Sequence, residues 1–512
     1  MSLDAVGLEV IGHAFASVAE EMGLVLIHSA VSPNIRERRD CSAALFDAAG
    51  EMIAQAAHIP VHLGALGEAV TVVRALAPAP GDVFVLNDPY AGGSHLPDLT
   101  LVGAIDVAGS VGGYGAVRAH HSDVGGMQPG SMPAGARELF AEGVIVPPLR
   151  LTPEVERLLL ANVRTPEARR ADLAAQRAAV ERGADGLRAL VARYGWAALR
   201  DAARDLQAYA ERRTREALRA TSIAGAIATD WLEGDGVDDQ DFAIRVQVDI
   251  SDGVFQADFA GTAPAARGNV NCPLAVTRSA VLFVVRTLLP EDVPTNGGVE
   301  RAVKVRAPEG SLVHARFPSA VAAGNVETSQ RIADTVFKAL AGAGLQVPAQ
   351  GQGTMNNVTL GGTVAGVPWT YYETIGGGQG ASPGANGPSG VHVGMSNTRN
   401  TPIEVLELEY PLRVRGYALR RGSGGRGRRS GGDGVIREFE ALAPLEASCL
   451  TERRRHAPSG VGGGEPGHPG CTSINGAPLA PKASAQLAPG DVLRLETPGG
   501  GGWGEPERGG DR

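Results

Sequence analysis

The stretch that most constrains this chain runs from residue 87 to residue 123 and reads NDPYAGGSHLPDLTLVGAIDVAGSVGGYGAVRAHHSD. A short apolar run at 83–86 (VFVL) reads as a buried strand, and Asn87-Asp88-Pro89 ends it. A glycine-rich loop follows, carrying His95 and Asp98. A second strand is expected at 99–107. A third is expected at 114–119, closing in His120-His121-Ser122-Asp123. Two strand ends therefore present imidazoles and carboxylates from loops, and a rigid sheet can hold such loops in fixed relative positions. Imidazole nitrogen together with carboxylate oxygen suits Zn²⁺, Mn²⁺ or Fe²⁺. His95-x-x-Asp98 is a short chelate, and His120, His121 and Asp123 sit at a different strand end. Spacing alone leaves open a plain hydrogen-bonded loop.

A chain of 512 residues with 43% hydrophobic content can build two to four domains or one large multilayer unit. Net charge is −9, and no Lys/Arg stripe suggests nucleic acid. Only Lys304, Lys338 and Lys482 are lysines, so the positive charge is almost entirely arginine. Cys41, Cys272, Cys449 and Cys471 are far apart and form no CxxC, which argues against a zinc ribbon or a disulfide framework and for a reducing compartment. No signal segment and no uninterrupted apolar run of membrane length is read, so a cytoplasmic protein without a membrane partner is expected.

The N-terminus opens with a helix over 4–22, its stripe formed by Ile11, Ala14, Phe15, Val18 and Met22, with Gly23 as the stop. Residues 34–40 are densely charged. Strands at 43–46 and 52–54 form a hairpin around the turn 47–50. His58 and His62 are four apart, but Pro60 between them argues against a helix, so they read as core histidines or as partners of ligands rather than a second metal site. After Asp123 a long irregular segment carries a short helix at 136–142, and its length suggests function or an interface. Helices are expected within 152–162, 165–194 and 195–220. From 224 the period becomes two, with a helix at 277–289 and a strand at 303–313. GNVETSQR (324–331) precedes a helix at 329–341, where free N–H groups could bind an anion; an ordinary helix cap is the alternative. GQGTMNN (351–357), YYETIGGGQG (371–380) and 390–400 are further polar loops. The end reads as all-β with a disordered tail after Trp503. No phosphate-binding glycine motif lies between a strand and a helix, so no ATP site is expected here.

The fold class is therefore α+β, a large multilayer mixed protein. Its expected parts are an N-terminal α/β region with the metal site (1–150), a helical segment (151–222), a mixed region with polar glycine-rich loops (223–410) and a β-rich region with a disordered tail (411–512).

The ordered set SPNIRERRDCSAALFDAAGEMIAQAAHIPVHLG, NDPYAGGSHLPDLTLV, AHHSDVGG, EGVIVPPLRL, GNVNCPLAVTRSAV, APEGSLVHARFPSAVAAGNVETSQR, GTMNN, YYETIGGG, NTPIEVLELEYPLRV and TPGGGGWG resembles the hydantoinase B/oxoprolinase family across essentially the whole chain. The family includes the B-type chain of ATP-dependent N-methylhydantoinases and the C-terminal half of 5-oxoprolinase, and is related to acetone and acetophenone carboxylase subunits. The resemblance implies one divalent metal, zinc or manganese, held by Asp40 (in ERRDCS), His95 and Asp98 (in SHLPD) and His120 (in AHHSD). It promotes Asp40, which its charged loop alone would not single out. It makes His121 and Asp123 candidates for orienting the ligand imidazoles, with Asp123 or Glu37 as base. One departure is Gly394 in GVHVGMSN, where family members often carry a second histidine; this bears on His392 and on substrate preference.

The resemblance also implies a hydantoinase A-type partner that binds ATP and Mg²⁺, most simply in a heterotetramer with two of each chain. The partner would phosphorylate a small cyclic amide, and water at the metal of this chain would complete hydrolysis. GNVETSQR and GTMNN would line the substrate path. A ketone carboxylase subunit is the alternative. A non-catalytic scaffold is a second alternative, which the retained Asp40/His95/Asp98/His120 set argues against.

Overall fold

The structure is a computed structural model describing residues 5–506 except Leu63. Helix α1 (Ala5–Ser29) and the short α2 (Pro33–Arg36) lead into β1 (Cys41–Asp47) and β2 (Met52–Ala57). Then come α3 (Ala65–Ala75), β3 (Val83–Leu86), β4 (Asp98–Val107), β5 (Ser110–His120) and β6 (Leu149–Arg150). These six strands form one antiparallel sheet in the order β2-β1-β5-β4-β3-β6. Alternation sorts its side chains. Cys41, Ala43, Leu45, Val117 and Ala119 join the core beneath α1, while Ala44, Phe46, Tyr114 and Ala116 join a smaller core with α3. Both faces are covered.

Helix α1 does not stop at Gly23. The glycine is used for packing instead, since a Cβ there would come 2.9 Å from Cε1 of His58. By length and hydropathy (mean 1.5) residues 6–29 meet the requirement for a membrane span, although no such run was expected from the sequence. In the fold, Ile11, Phe15, Val18, Met22 and Leu26 of α1 are buried against the sheet and the helices that follow.

Those helices are α4 (Pro153–Leu160), α5 (Pro166–Tyr194) and α6 (Trp196–Arg219), close to expectation. Thr152 caps α4 by accepting from Val155 N, with Pro153 at its first turn. A second sheet holds β7 (Ile223–Glu233), β8 (Asp241–Ser251) and β9 (Val254–Asp258). The chain continues through α7 (Leu274–Leu288), the short α8 (Gly297–Glu300), β10 (Val303–Arg306) and α9 (Ser329–Gly342). The order is β10-β9-β8-β7, with β9 and β10 parallel. The expected strand at 303–313 ends at Arg306, because Pro308 and Gly310 (φ 83°) turn the chain. Helix α9 packs on β7 and β8 and forms the central core with α7.

The C-terminal part comprises β11 (Asn357–Val364), β12 (Val367–Glu373), α10 (Ile403–Glu409), β13 (Leu412–Arg420), β14 (Gly434–Ala441), β15 (Leu445–Leu450), β16 (Cys471–Ile474), β17 (Ala477–Pro478), β18 (Lys482–Leu487) and β19 (Val492–Glu496). They make two sheets, β12-β11-β15-β18 and β13-β14-β19-β16-β17, sharing a core with Leu360, Phe439 and Leu493. The expected disordered tail lies, from residue 507, outside the described residues.

The irregular segment after Asp123 holds one 3₁₀ turn, Leu139–Ala141, rather than the helix expected at 136–142. It is tied down by Glu142, which is fully buried. Its Oε1 accepts from Val321 N (2.9 Å) and Ala322 N (2.8 Å), while Oε2 has no partner among the described residues. Burial pushes this carboxyl up to about 8 from its usual 4.5. A raised folded-state value means the protonated form is favoured on folding. The stability it supplies is full below about pH 4.5 and is lost as pH climbs through 8. Glu142→Gln keeps the acceptor and cannot ionise. The melting temperature of the variant relative to wild type is therefore expected to rise between pH 5 and pH 8; parallel melting curves across that range would refute this role.

Candidate metal centre

Strands β1, β5 and β4 are neighbours, and their ends meet at one corner of the first sheet. Cys41 pairs with Ala119 and Asp98 with His120. The backbone N–H of His120 donates to the carbonyl of Asp40 at 3.1 Å. Asp40, Asp98 and His120 continue the parity of Ala44, Val102 and Ala116, which face the α3 side. His95 arrives from the loop before β4. That loop is fixed by buried Asn87, whose Nδ2 donates to Leu96 O and Val144 O and whose Oδ1 accepts from Val146 N.

His95, Asp98 and His120 form a buried cluster whose ligand atoms lie within 4.8 Å of one another. Asp98 Oδ1 is 3.0 Å from His95 Nε2 and 3.3 Å from His120 Nδ1. Neither ring nitrogen of His95 has a hydrogen-bond partner among the described residues, and neither does His120 Nε2. Buried nitrogens are rarely left so. A carboxylate oxygen 3.0 Å from an imidazole nitrogen, outside hydrogen-bond geometry, is the arrangement of two ligands around a cation. Burial opposes the charge on Asp98, but the imidazoles of His95, His120 and His62 around it hold its carboxyl well below the usual range. Burial drives the His120 imidazole down. Carboxylate and neutral imidazole are the protonation states a metal needs, so the residues fit a divalent ion.

The surroundings hold Asp98 in place. Ser94 Oγ donates to its Oδ2 at 2.6 Å, His62 Nε2 is 3.5 Å from the same oxygen, and Asn325 Nδ2 is 3.4 Å from it. His62 Nδ1 meets Ser42 Oγ at 3.0 Å. His62 thus steadies a candidate ligand, one of the two roles its spacing allowed; His58 packs against Gly23 instead. The Tyr372 ring stacks on His120 (centroids 4.3 Å apart, planes at 14°), and its hydroxyl donates to Asn357 Oδ1 at 2.8 Å. Asp40, His62, Asp98, His120, Asn325, Met355, Tyr372, Thr374, Ser396 and Thr398 line a cavity of about 20 Å³. That is room for an ion or one water.

Four candidates fall outside this cluster; Asp40 still lines the cavity beside it, and the other three do not. Asp123 Oδ1 accepts from Gly125 N and Arg164 N, and its Oδ2 from Gly130 N and Arg164 Nη1, so the carboxylate clamps a loop and is not positioned as a base. His121 has the opposite parity to His120. Its Nε2 meets Gln176 Oε1 on α5 at 2.9 Å, and burial with nearby Arg169 pushes it down to about 4. Glu37 pairs with Arg36 at 3.4 Å and does not line the cavity. The GNVETSQR segment is not an open helix end either. Residues Gly324–Thr328 form a π-helical turn running into α9, with Glu327 Oε1 accepting from Met355 N and Asn357 Nδ2. Gly324 is required there, since a Cβ would lie 1.7 Å from Asn271 O. The turn delivers Asn325 to Asp98, a contact the sequence did not announce.

Comparison with known proteins agrees with this architecture. The family model described as hydantoinase B/oxoprolinase matches residues 4–506. The chain is 37% identical to 5-oxoprolinase 1 of Arabidopsis thaliana over 98% of its own length but spans only 42% of that protein. It is 30% identical to the B-type chain of a putative D-/L-hydantoinase of Pseudomonas sp., covering 98% of this chain and 90% of that one. The crystal structure of an ATP-dependent caprolactamase from Pseudomonas jessenii superposes with a TM-score of 0.89 at 27% identity, covering 99% of this chain and 92% of that one. An acetone carboxylase structure shares the fold, with a TM-score of 0.88 at 17% identity and 98% and 76% of the two chains covered.

Proposed function

The chain belongs to the hydantoinase B/oxoprolinase family, and we propose that it is the metal-holding, B-type chain of an ATP-dependent enzyme that opens a cyclic amide. In this reading Asp40, His95, Asp98 and His120 hold one zinc or manganese ion, and ATP with Mg²⁺ binds a partner chain of A type, two copies of each assembling together. The observation that carries it is the buried His95 ring, both nitrogens unpartnered, with Asp98 Oδ1 at 3.0 Å. The relatives support the rest. One is named as the B-type chain of a hydantoinase and another as an ATP-dependent caprolactamase, and the 5-oxoprolinase has more than half its length beyond this chain.

A divalent ion there supplies Lewis acidity towards an amide or phosphoryl oxygen and lowers the pKa of water. The chain's residues prepare that position. His62, Ser94 and Asn325 fix the Asp98 carboxylate, Tyr372 fixes the plane of His120, and burial keeps His120 neutral. Val61, Met355 and Ile59 complete an apolar wall that limits competing water.

The test is reconstitution with the A-type partner, ATP and Mg²⁺, offering 5-oxoproline, hydantoin and N-methylhydantoin beside acetone and acetophenone, in ¹⁸O-water with ¹³C-bicarbonate. A hydrolase places ¹⁸O in a new carboxylate and leaves ¹³C out of the product. Appearance of ¹³C in a β-keto acid, with no ring opened, would overturn the reading in favour of a carboxylase.

A further inference from the structure

Behind one wall of the metal cavity lies a charge that the proposed chemistry does not use. Arg38 is fully buried. Among the described residues every hydrogen bond of its guanidinium goes to a neutral oxygen. Nε donates to Arg399 O, Nη1 to Asn34 Oδ1 and Tyr372 O, and Nη2 to the hydroxyls of Thr374 and Thr398. The guanidinium also lies 5.3 Å from the centroid of the Tyr372 ring. A buried cation without a carboxylate is costly.

The two hydroxyls that Arg38 holds face the cavity and belong to a longer chain. Thr374 Oγ1 and Thr398 Oγ1 are 2.7 Å apart, Thr398 Oγ1 is 3.1 Å from His392 Nε2, and His392 Nδ1 is 2.9 Å from Ser396 Oγ. Thr374, Thr398 and Ser396 all line the cavity. His392 is neutral, since burial and then Arg38 push it down to about 3. A neutral imidazole donates from one nitrogen and accepts at the other. With hydrogen on Nδ1, the ring donates to Ser396, Thr374 donates to Thr398 and Thr398 to Nε2, which leaves the Ser396 hydrogen free. With hydrogen on Nε2, Ser396 donates to Nδ1, the ring to Thr398 and Thr398 to Thr374, which leaves the Thr374 hydrogen free. In either tautomer one hydroxyl donor remains for whatever enters the cavity.

The charge balance points the same way, and this step rests on the metal reading above. A divalent cation and the carboxylates of Asp40 and Asp98 cancel, which leaves two positive charges, Arg38 at the wall and the buried Arg118 behind Asp98, bonded only to neutral oxygens among the described residues. We propose that Arg38 and the Thr374–Thr398–His392–Ser396 chain form a receptor for one oxygen of an oxyanion, a carboxylate or phosphoryl group carried by the reacting molecule, since the cavity of about 20 Å³ admits a single oxygen and not the whole group. The hydroxyl chain transmits the charge of Arg38 and supplies the donor, so the substrate class of this site is anionic.

Calorimetric titration of the metal-loaded chain tests this, with metal per chain measured on every sample. The probes are inorganic phosphate, 5-oxoproline and 2-pyrrolidinone, the last having the lactam ring without the carboxylate. At least one anionic probe is expected to bind about tenfold or more tighter than 2-pyrrolidinone, a difference of about 1.4 kcal/mol or more. Arg38→Gln should abolish that advantage with metal content unchanged. The double variant Thr374→Val/Ser396→Ala, which removes the spare donor of both tautomers, should do the same and serves if Arg38→Gln does not fold. Preference for phosphate alone assigns the group to a phosphoryl, and preference for 5-oxoproline alone to the substrate's own carboxylate. A metal-loaded chain that binds neutral lactam as tightly as both anions, or variants that keep the preference, would overturn the proposal alone. Wild-type protein that binds no metal would overturn the metal reading and this charge balance with it.

Discussion

Asp98→Ala is expected to lower divalent-metal affinity by more than about 100-fold, beyond the 10–100-fold typical of losing a residue that only supports a ligand. Asp98 stands at the centre of the cluster. Oδ1 faces His95 and His120, while Oδ2 takes Ser94, His62 and Asn325. Its removal withdraws a ligand and frees the groups that orient the others. Stability should follow. Metal present at a thousandfold excess over its dissociation constant stabilises the native state by about 4 kcal/mol, and in the variant adding metal should no longer raise the melting temperature. Elemental analysis and melting curves with and without added zinc or manganese measure both effects. An unchanged metal content in Asp98→Ala would remove the assignment.

Arg453→Met is expected to destabilise the chain by about 3–5 kcal/mol, the cost of leaving buried charges without their partner. Arg453 Nη2 donates to Asp230 Oδ2 (3.0 Å) on β7 and to Asp334 Oδ2 (2.6 Å) on α9. Beside it Arg331 Nη2 donates to Glu452 Oε2 at 3.2 Å, and Lys482 on β18 holds Glu452 Oε1. Three cations thus face three carboxylates where the second sheet, α9 and the C-terminal sheets meet. Burial works against Asp230, but Arg453 and then Arg331 hold its carboxyl low. Without Arg453 the two carboxylates share a single cation, Arg331, whose Nη1 is 3.3 Å from Asp334 Oδ2 and 3.7 Å from Asp230 Oδ2. The midpoint of guanidinium chloride unfolding should fall accordingly, and adding Asp334→Asn should recover part of the loss. A midpoint within error of wild type would show that the network contributes nothing net.

Much of the local structure was legible in residues. VFVL, the turn at 47–50 and the helical run after Thr152 declare themselves through apolar runs, turn residues and caps, and they appear near the expected bounds. The HxxD chelate and the histidine at the end of the third strand were equally plain, and the family resemblance added Asp40. The facing of side chains could not be read. In the first sheet both surfaces are covered, so residues 98–105 of β4 are all buried and burial marks no face. His120 and His121 therefore looked alike. Only the antiparallel register, pairing Asp98 with His120, sends one to the cluster and the other to Gln176. Asp123 looked like a base for the same reason, until Arg164 and two backbone N–H groups took its oxygens. The far wall was beyond local reading as well. His62 comes from the N-terminal part of the chain and Asn325, Tyr372 and Thr398 from separate segments more than 200 residues later, and tertiary packing brings them to Asp98. Sequence thus set which chemistry the strand ends could carry, because residue type and strand formation are local properties. Tertiary structure decided which of those groups share a cavity, because facing and closure depend on contacts between distant parts of the chain.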